Sequence, residues 1–325
     1  MTTTAVSTPA PTAVRDLFTN RWLLLFLAAW AAATVYILTT DRSVLPLSDQ
    51  EPIGYFSGIA GGIAGGVAGM AVLFLLARHR APLDHRNAPE FRNPGKETAG
   101  LLAWMAAVLA VGSVFDIRTH IAFVGLAPGA QAVWDRQTPT STLTWAIFNF
   151  VTLAVLPYLF FRYRLGYRPA SMLLRFGRPK VWLPYFVLVG LPPIFFTATP
   201  EYYTTSVAGH VLTLVLFTIG SFLPIMITTQ SLLTPRLAVL ARSWVTGSVL
   251  SAIAYGALNI TEAFLAWGSA AQLALSLAWF TQVAFWGLAK AVTTLRTGNA
   301  WLHIATTHTI HLAEAPALAT TFRLR

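Results

Sequence analysis

Three imidazoles and a carboxylate fall close together near the end of the chain, as His303, His308, His311 and Glu314 in WLHIATTHTIHLAEA. Taking His303 as zero on a helix of 3.6 residues per turn, the others stand at about 140°, 80° and 20°. All four then share one broad polar stripe. Such a stripe could offer His303, His308 and His311 to a divalent metal such as zinc, or offer the same groups to a polar cavity between helices. The spacing is not HExxH, which sets two histidines one turn apart around a glutamate. A wet amphipathic terminal helix explains the same letters.

A second group lies upstream in an apolar run, where Asn259 and Glu262 are three residues apart and within about 60° of each other on a helix face. A polar or ionisable side chain inside a membrane-spanning run costs about 2.5–3.5 kcal/mol on insertion scales, so each such residue is a functional candidate. Glu262 must be protonated, paired or hydrated, because a bare carboxylate in hydrocarbon is prohibitively costly. Gln230, His210, Gln272 and Gln282 belong to the same class, with Lys290 expected at a cytoplasmic boundary. The absence of cysteine excludes disulfides, thiolate metal sites and Cys nucleophiles. No GxSxG marks a serine nucleophile.

The elements that must position these groups follow from composition. The chain has 325 residues, 55% hydrophobic and 10% charged, with a mean hydropathy of +0.61, against about 25% charged in soluble domains. Soluble enzymes and disordered chains are excluded. Apolar runs at about 22–39, 53–77, 98–117, 142–161, 181–198, 206–228, 244–266 and 270–291, with a weaker one at 298–316, predict an all-α polytopic transmembrane bundle of about eight or nine helices. Residues 1–20 read as a mobile tail, 21–140 as an N-terminal three-helix membrane segment, and 141–325 as a C-terminal membrane core.

Charge places the ends of these runs. The excess of 22 basic over 12 acidic residues lies mainly between apolar runs, which points to headgroups and cytoplasmic loops rather than nucleic acid. Arg15 and Arg21 precede the first run, and the basic residues of 78–96, those of 162–180, Arg236 with Arg242, and Lys290 with Arg296 follow every second one. All therefore fall on one side of the membrane, predicting a cytoplasmic N-terminus in a cell-membrane protein. The segment RYRLGYRPASMLLRFGRPK suits an anionic lipid surface or a plain positive-inside loop. In the second run, Gly58, Gly62 and Gly66 form one row and Gly61, Gly65 and Gly69 another, allowing close helix packing within the chain or at a homo-oligomer seam. Pro192 and Pro193 are expected to bend or break the fifth run.

From Phe160 to Leu312 the order of features resembles the CPBP family of intramembrane proteases, which includes CAAX prenyl proteases and bacteriocin self-immunity proteins. The likeness rests on RLGYRPASMLLRFGRPK, then SFLPIMITTQSLLTPRL, SAIAYGALN and LRTGNAWLHIATTH. The family's EExxxR falls here on Thr229, Gln230 and Thr234, its FxxxH on Tyr255 to Asn259, and the histidine of its last motif on His308. The resemblance implies a polar intramembrane site, metal-assisted in the family, that activates water against a hydrophobic or lipidated peptide. On that reading His308 is the expected catalytic histidine and Gln230, Asn259 and Tyr255 the substrate-binding residues. Glu262, one turn beyond Asn259 and outside the family's motifs, is the expected catalytic acid in place of the lost ones, and the histidine stripe supplies His303, His308 and His311 as the expected metal ligands. Gln230 and Asn259 cannot take up a proton near neutral pH, so the family mechanism does not transfer intact. A transporter or lipid carrier with an intramembrane polar path is the alternative, as is an assembly subunit built on the glycine rows.

Overall fold

Polar residues at the ends of the apolar runs start and stop the helices. Asn93 caps α3 (Pro94–Val114) by accepting from the Lys96 N–H, with Pro94 in the first turn, where its missing donor costs nothing. Thr138 and Ser141 form a reciprocal capping box at the start of α4 (Pro139–Arg164). Ser206, Ser243 and Ser269 do the same work singly for α6 (Val207–Leu240), α7 (Trp244–Ala257) and α8 (Ala270–Thr297). Gly298, with φ +61°, ends α8 in the left-handed conformation that glycine adopts without strain. The remaining long helices are α1 (Arg21–Thr40), α2 (Pro52–Leu76) and α5 (Pro179–Thr197).

The computed structural model describes residues 15–17, 19–40, 52–117, 137–177, 179–260 and 267–324, with the backbone alone for 52–63. The protein is 78% helical and contains no strand among the described residues. It is therefore an all-α bundle of the polytopic membrane type. A helix lies in each of the eight expected runs. Among the described residues five helices, α1, α3, α4, α5 and α6, are both long and apolar enough to cross a bilayer. Helix α7 stops at Ala257 and is too short, while α8 is long enough but its second half is polar. The stretch after Gly298 is a chain of short turns and no span: Ala300–His303, Ile304–Thr307, His308–Glu314 and α9 (Ala315–Thr321).

Helix α6 is the centre of the bundle. In its most apolar window 61% of residues are buried, against 17% in α1 and in α5. The outer helices instead turn Leu24, Leu25, Leu75, Val187 and Phe196 outward, as a hydrocarbon solvent permits. Helices α7 and α8 pack closely because glycine removes the side chain at each crossing: a Cβ on Gly287 would lie 2.8 Å from the Tyr255 ring, and one on Gly247 would lie 2.4 Å from Ala238 Cα at the end of α6. The N-terminal helices join the same packing, with Ala33 and Ile37 of α1 against Leu275 and Ala278 of α8.

The glycine rows of α2 are used in part within the chain. A Cβ on Gly66 would meet Phe285 at 3.2 Å and one on Gly69 would meet Val189 at 2.9 Å, whereas one on Gly65 would meet nothing within 4 Å. The side-chain surroundings of Gly58, Gly61 and Gly62 lie outside the described residues. The expected break at Pro192 and Pro193 takes another form. Leu191 keeps helical angles and the prolines occupy the first turn of the next segment, preceded by a wider π-helical stretch, Phe186–Gly190. Similar π-helical stretches occur near Pro157 in α4 and Pro224 in α6, since a proline removes one ladder donor and the winding loosens around it.

Candidate functional site

The three C-terminal histidines are brought together in the interior, all at most 1% exposed. The local winding explains how. Residues His308–Glu314 form a 3-10 helix, in which side chains three apart eclipse, so His308, His311 and Glu314 stand in one row. His303 closes the preceding turn and meets His308 edge to face, with ring centroids 4.9 Å apart; His308 and His311 are 6.0 Å apart.

Each imidazole has a distinct partner. His311 Nδ1 lies 2.8 Å from Glu314 Oε1, a carboxylate that orients the ring. His308 Nδ1 lies 3.4 Å from Ser221 Oγ, at the edge of hydrogen-bonding reach. His303 Nδ1 lies 2.7 Å from the Ala300 carbonyl, which can only accept, so this nitrogen carries a proton. The rings pack on aromatic faces, His311 stacking on Phe217 at 4.7 Å and His308 tilting against Phe222 at 5.2 Å. Ser221 and Phe222 project from the π-helical stretch Thr218–Phe222 of α6. Gly220 in that stretch admits the Trp145 ring, which a Cβ would meet at 2.5 Å.

Helix α8 contributes a polar stripe to the same interior. Lys290, expected at a cytoplasmic boundary, is instead wholly buried. Its ammonium donates to Thr307 Oγ1, in the turn joining His303 to His308, and stands 5.3 Å from the Tyr255 ring centroid. It has no carboxylate partner among the described residues. One turn on, Thr294 donates to Gln230 Oε1 at 3.0 Å, and Thr293 Oγ1 lies 3.3 Å from the Tyr185 hydroxyl. Gln230 and Tyr255 therefore border the cluster through α8. Asn259 turns its amide to the Tyr255 carbonyl of its own helix, 3.1 Å away, and Glu262 lies outside the described residues.

Among the described residues no group of three or more His, Asp or Glu side chains is arranged to hold an ion. The rings of His303 and His308 meet edge to face and those of His308 and His311 are tilted to one another, with Nδ1 of His303 on a carbonyl and Nδ1 of His311 on a carboxylate. A carboxylate fixes one imidazole and a hydroxyl stands beside another, groups of the kind that exchange protons.

Reading the sequence missed two features. Ser221 had no motif to mark it. Arg236, read as a loop cation, is fully buried within α6, and its Nε donates to Glu97 Oε2 at 2.7 Å. Its guanidinium is caged by the rings of Phe91, Phe161 and Tyr167 at 4.3, 4.6 and 5.1 Å. The Tyr167 hydroxyl donates to the other Glu97 oxygen at 2.7 Å; burial first, then that carboxylate, push the phenol pKa up. The Lys290 signal was present, as a Lys290, Thr293, Thr294, Thr297 stripe at helical spacing.

Fold and site together define an integral membrane helical protein with a buried row of imidazoles. No family model, curated protein or solved structure matches the chain.

Proposed function

We propose that this membrane protein takes a hydrophobic or lipidated peptide into its helical interior, in the manner of the CPBP proteins it resembles, and that His308 and the His311–Glu314 pair are its acid–base groups. The observation that carries this reading is the single row in which a carboxylate orients one imidazole at 2.8 Å and a second imidazole stands 3.4 Å from a hydroxyl. Two such groups can take and return the proton that peptide hydrolysis moves, without the family's glutamates. Lys290 adds a fixed cation beside the row. Tyr255 faces that cation and Gln230 bonds Thr294 one turn along α8; the residue-by-residue likeness adds Asn259, and Glu262 is the acid three positions beyond it.

The row is closed to solvent, so a substrate enters only when the irregular 300–314 segment moves, and short 3-10 turns are among the less stable elements of a fold. The reading places the protein in the cell membrane with its N-terminus in the cytoplasm. Arg15, Arg21 and the basic residues of 78–96 and 162–180 support that orientation; the buried Arg236 and Lys290 no longer count toward it.

The test is cleavage and binding of farnesylated and acylated peptides by purified protein in nanodiscs, read by mass spectrometry. Loss of turnover by about 10²-fold or more in His308→Ala and His311→Ala is expected; full activity in both variants, or neither binding nor cleavage of any peptide, removes the reading. One observation favours a carrier as the second reading. Gly190, at the end of the π-helical stretch of α5, packs against Ala305, which its Cβ would meet at 3.1 Å, so a hinge abuts the histidine segment. Proton-coupled flux in proteoliposomes without peptide turnover would favour it.

A further inference from the structure

A groove of about 810 Å³ runs between α3 and α4, away from the histidine row. Its lining is polarised along its length. One end carries Arg92 and Lys96, both exposed, and the rest is formed by Leu101, Trp104, Leu156, Pro157, Leu159 and Phe160. Along α3 the residues Lys96, Gly100 and Trp104 succeed one another at four-residue spacing, so a cation, an empty place and an aromatic ring form a single row over about 12 Å. A Cβ on Gly100 would meet nothing within 4 Å. The walls are fixed: Trp104 Nε1 donates to the Thr152 carbonyl across the helix pair at 2.7 Å, and the Arg92 backbone N–H donates to the Tyr167 hydroxyl at 2.7 Å.

The one acid in the lining does not cancel the cations. Both oxygens of Glu97 are engaged, one by Arg236 and the other by Tyr167 and the Asn93 N–H. The charge left facing the groove is positive. Arg164 and Arg168 lie exposed in the segment that follows α4, at the same end of the helix pair, which places the cationic end at a membrane surface and the apolar end within the bilayer.

We propose that this groove binds an anionic phospholipid, its phosphate on Arg92 and Lys96 and one acyl chain along Gly100, Trp104, Leu156 and Phe160. A long apolar tail joined to a negatively charged head matches the gradient of the lining, and a lipid of the surrounding leaflet reaches the groove sideways, because Leu156, Leu159 and Phe160 are open to the bilayer. A zwitterionic lipid fills the apolar part equally well but leaves the two cations without net neutralisation.

Native mass spectrometry of the full chain released from nanodiscs containing equal phosphatidylglycerol and phosphatidylcholine tests the assignment. Retention of phosphatidylglycerol over phosphatidylcholine by about tenfold or more is expected. Arg92→Gln/Lys96→Gln should abolish the preference while leaving total bound lipid similar. Gly100→Leu should displace both lipids from the groove. Unfolding temperature and elution volume show that each variant is folded, and the double substitution, confined to exposed side chains, carries the test if Gly100→Leu is unstable. Equal retention of the two lipids by the unaltered protein, or an undiminished preference in the double variant, overturns the proposal. So does displacement of the bound lipid by a farnesylated peptide at equal concentration, which would make the groove a peptide site.

Discussion

Arg236 and Glu97 are 139 positions apart in the chain and 2.7 Å apart in the fold, the guanidinium wholly buried and the carboxylate nearly so. The pair ties α3 to the central helix α6, and its Glu97 lines the groove that also carries Arg92 and Lys96. Removing one partner leaves the other charge stranded in an apolar cage. Glu97→Gln should therefore lower stability by about 3–5 kcal/mol, while Glu97→Leu/Arg236→Met should cost less than the two single changes summed. Thermal unfolding in detergent measures both; strictly additive costs would show that the ion pair couples nothing.

Gly247→Ala and Gly65→Ala separate close packing from helix propensity. At Gly247 the added methyl would lie 2.4 Å from backbone, which cannot give way as a flexible side chain can, so a loss of about 1–3 kcal/mol or more is expected. At Gly65 the methyl meets open space, and the helix should gain about 0.5–1 kcal/mol. Unfolding temperatures of the two variants should move in opposite directions.

Lys290→Met tests whether the buried ammonium is kept for function. Methionine fills a similar volume and carries no charge to desolvate, so stability should be unchanged or higher. Peptide turnover, or flux in the carrier reading, should fall by at least about tenfold if the cation serves the imidazole row. A variant that is both more stable and fully active would assign Lys290 no part in the chemistry.

Asp84, in the loop after α2, gives the fold an acid limit. Burial pushes its carboxyl pKa up, but hydrogen bonds from the side chain and backbone of Arg86, together with the nearby charge, outweigh that and hold it below the ordinary 3.8. A group with a lowered folded-state pKa stabilises the protein above its unfolded value and loses that contribution as pH falls through the folded one. Unfolding temperature should drop below about pH 4 in the unaltered protein and drop less in Asp84→Asn; equal acid sensitivity would remove Asp84 from the cause.

The helical class and the position of every long helix were legible in the apolar runs, because length and hydropathy are local properties of the chain. What pairs across the fold was not. Arg236 reads as one more loop cation until Glu97 is seen beside it, and Lys290 ends an apolar run on paper while sitting at the centre of the interior. The histidine row was half legible: spacing put His303, His308, His311 and Glu314 on one side, but an α-helical projection spreads His308 to Glu314 over about 120°, where the observed 3-10 winding eclipses them. In that winding Phe217 and Phe222 pack against the rings, a contact from α6 that no local pattern encodes.

The same winding makes the row a screw with two pitches. If residues 308–314 rewound from three to 3.6 residues per turn, His311 would swing about 60° and Glu314 about 120° away from His308, and the segment would shorten by roughly 3.5 Å. Alignment of the carboxylate with the two imidazoles therefore depends on how tightly one short stretch of backbone is wound, so a pull on either end of that stretch could assemble or scatter the proton-handling groups without moving any of the long helices.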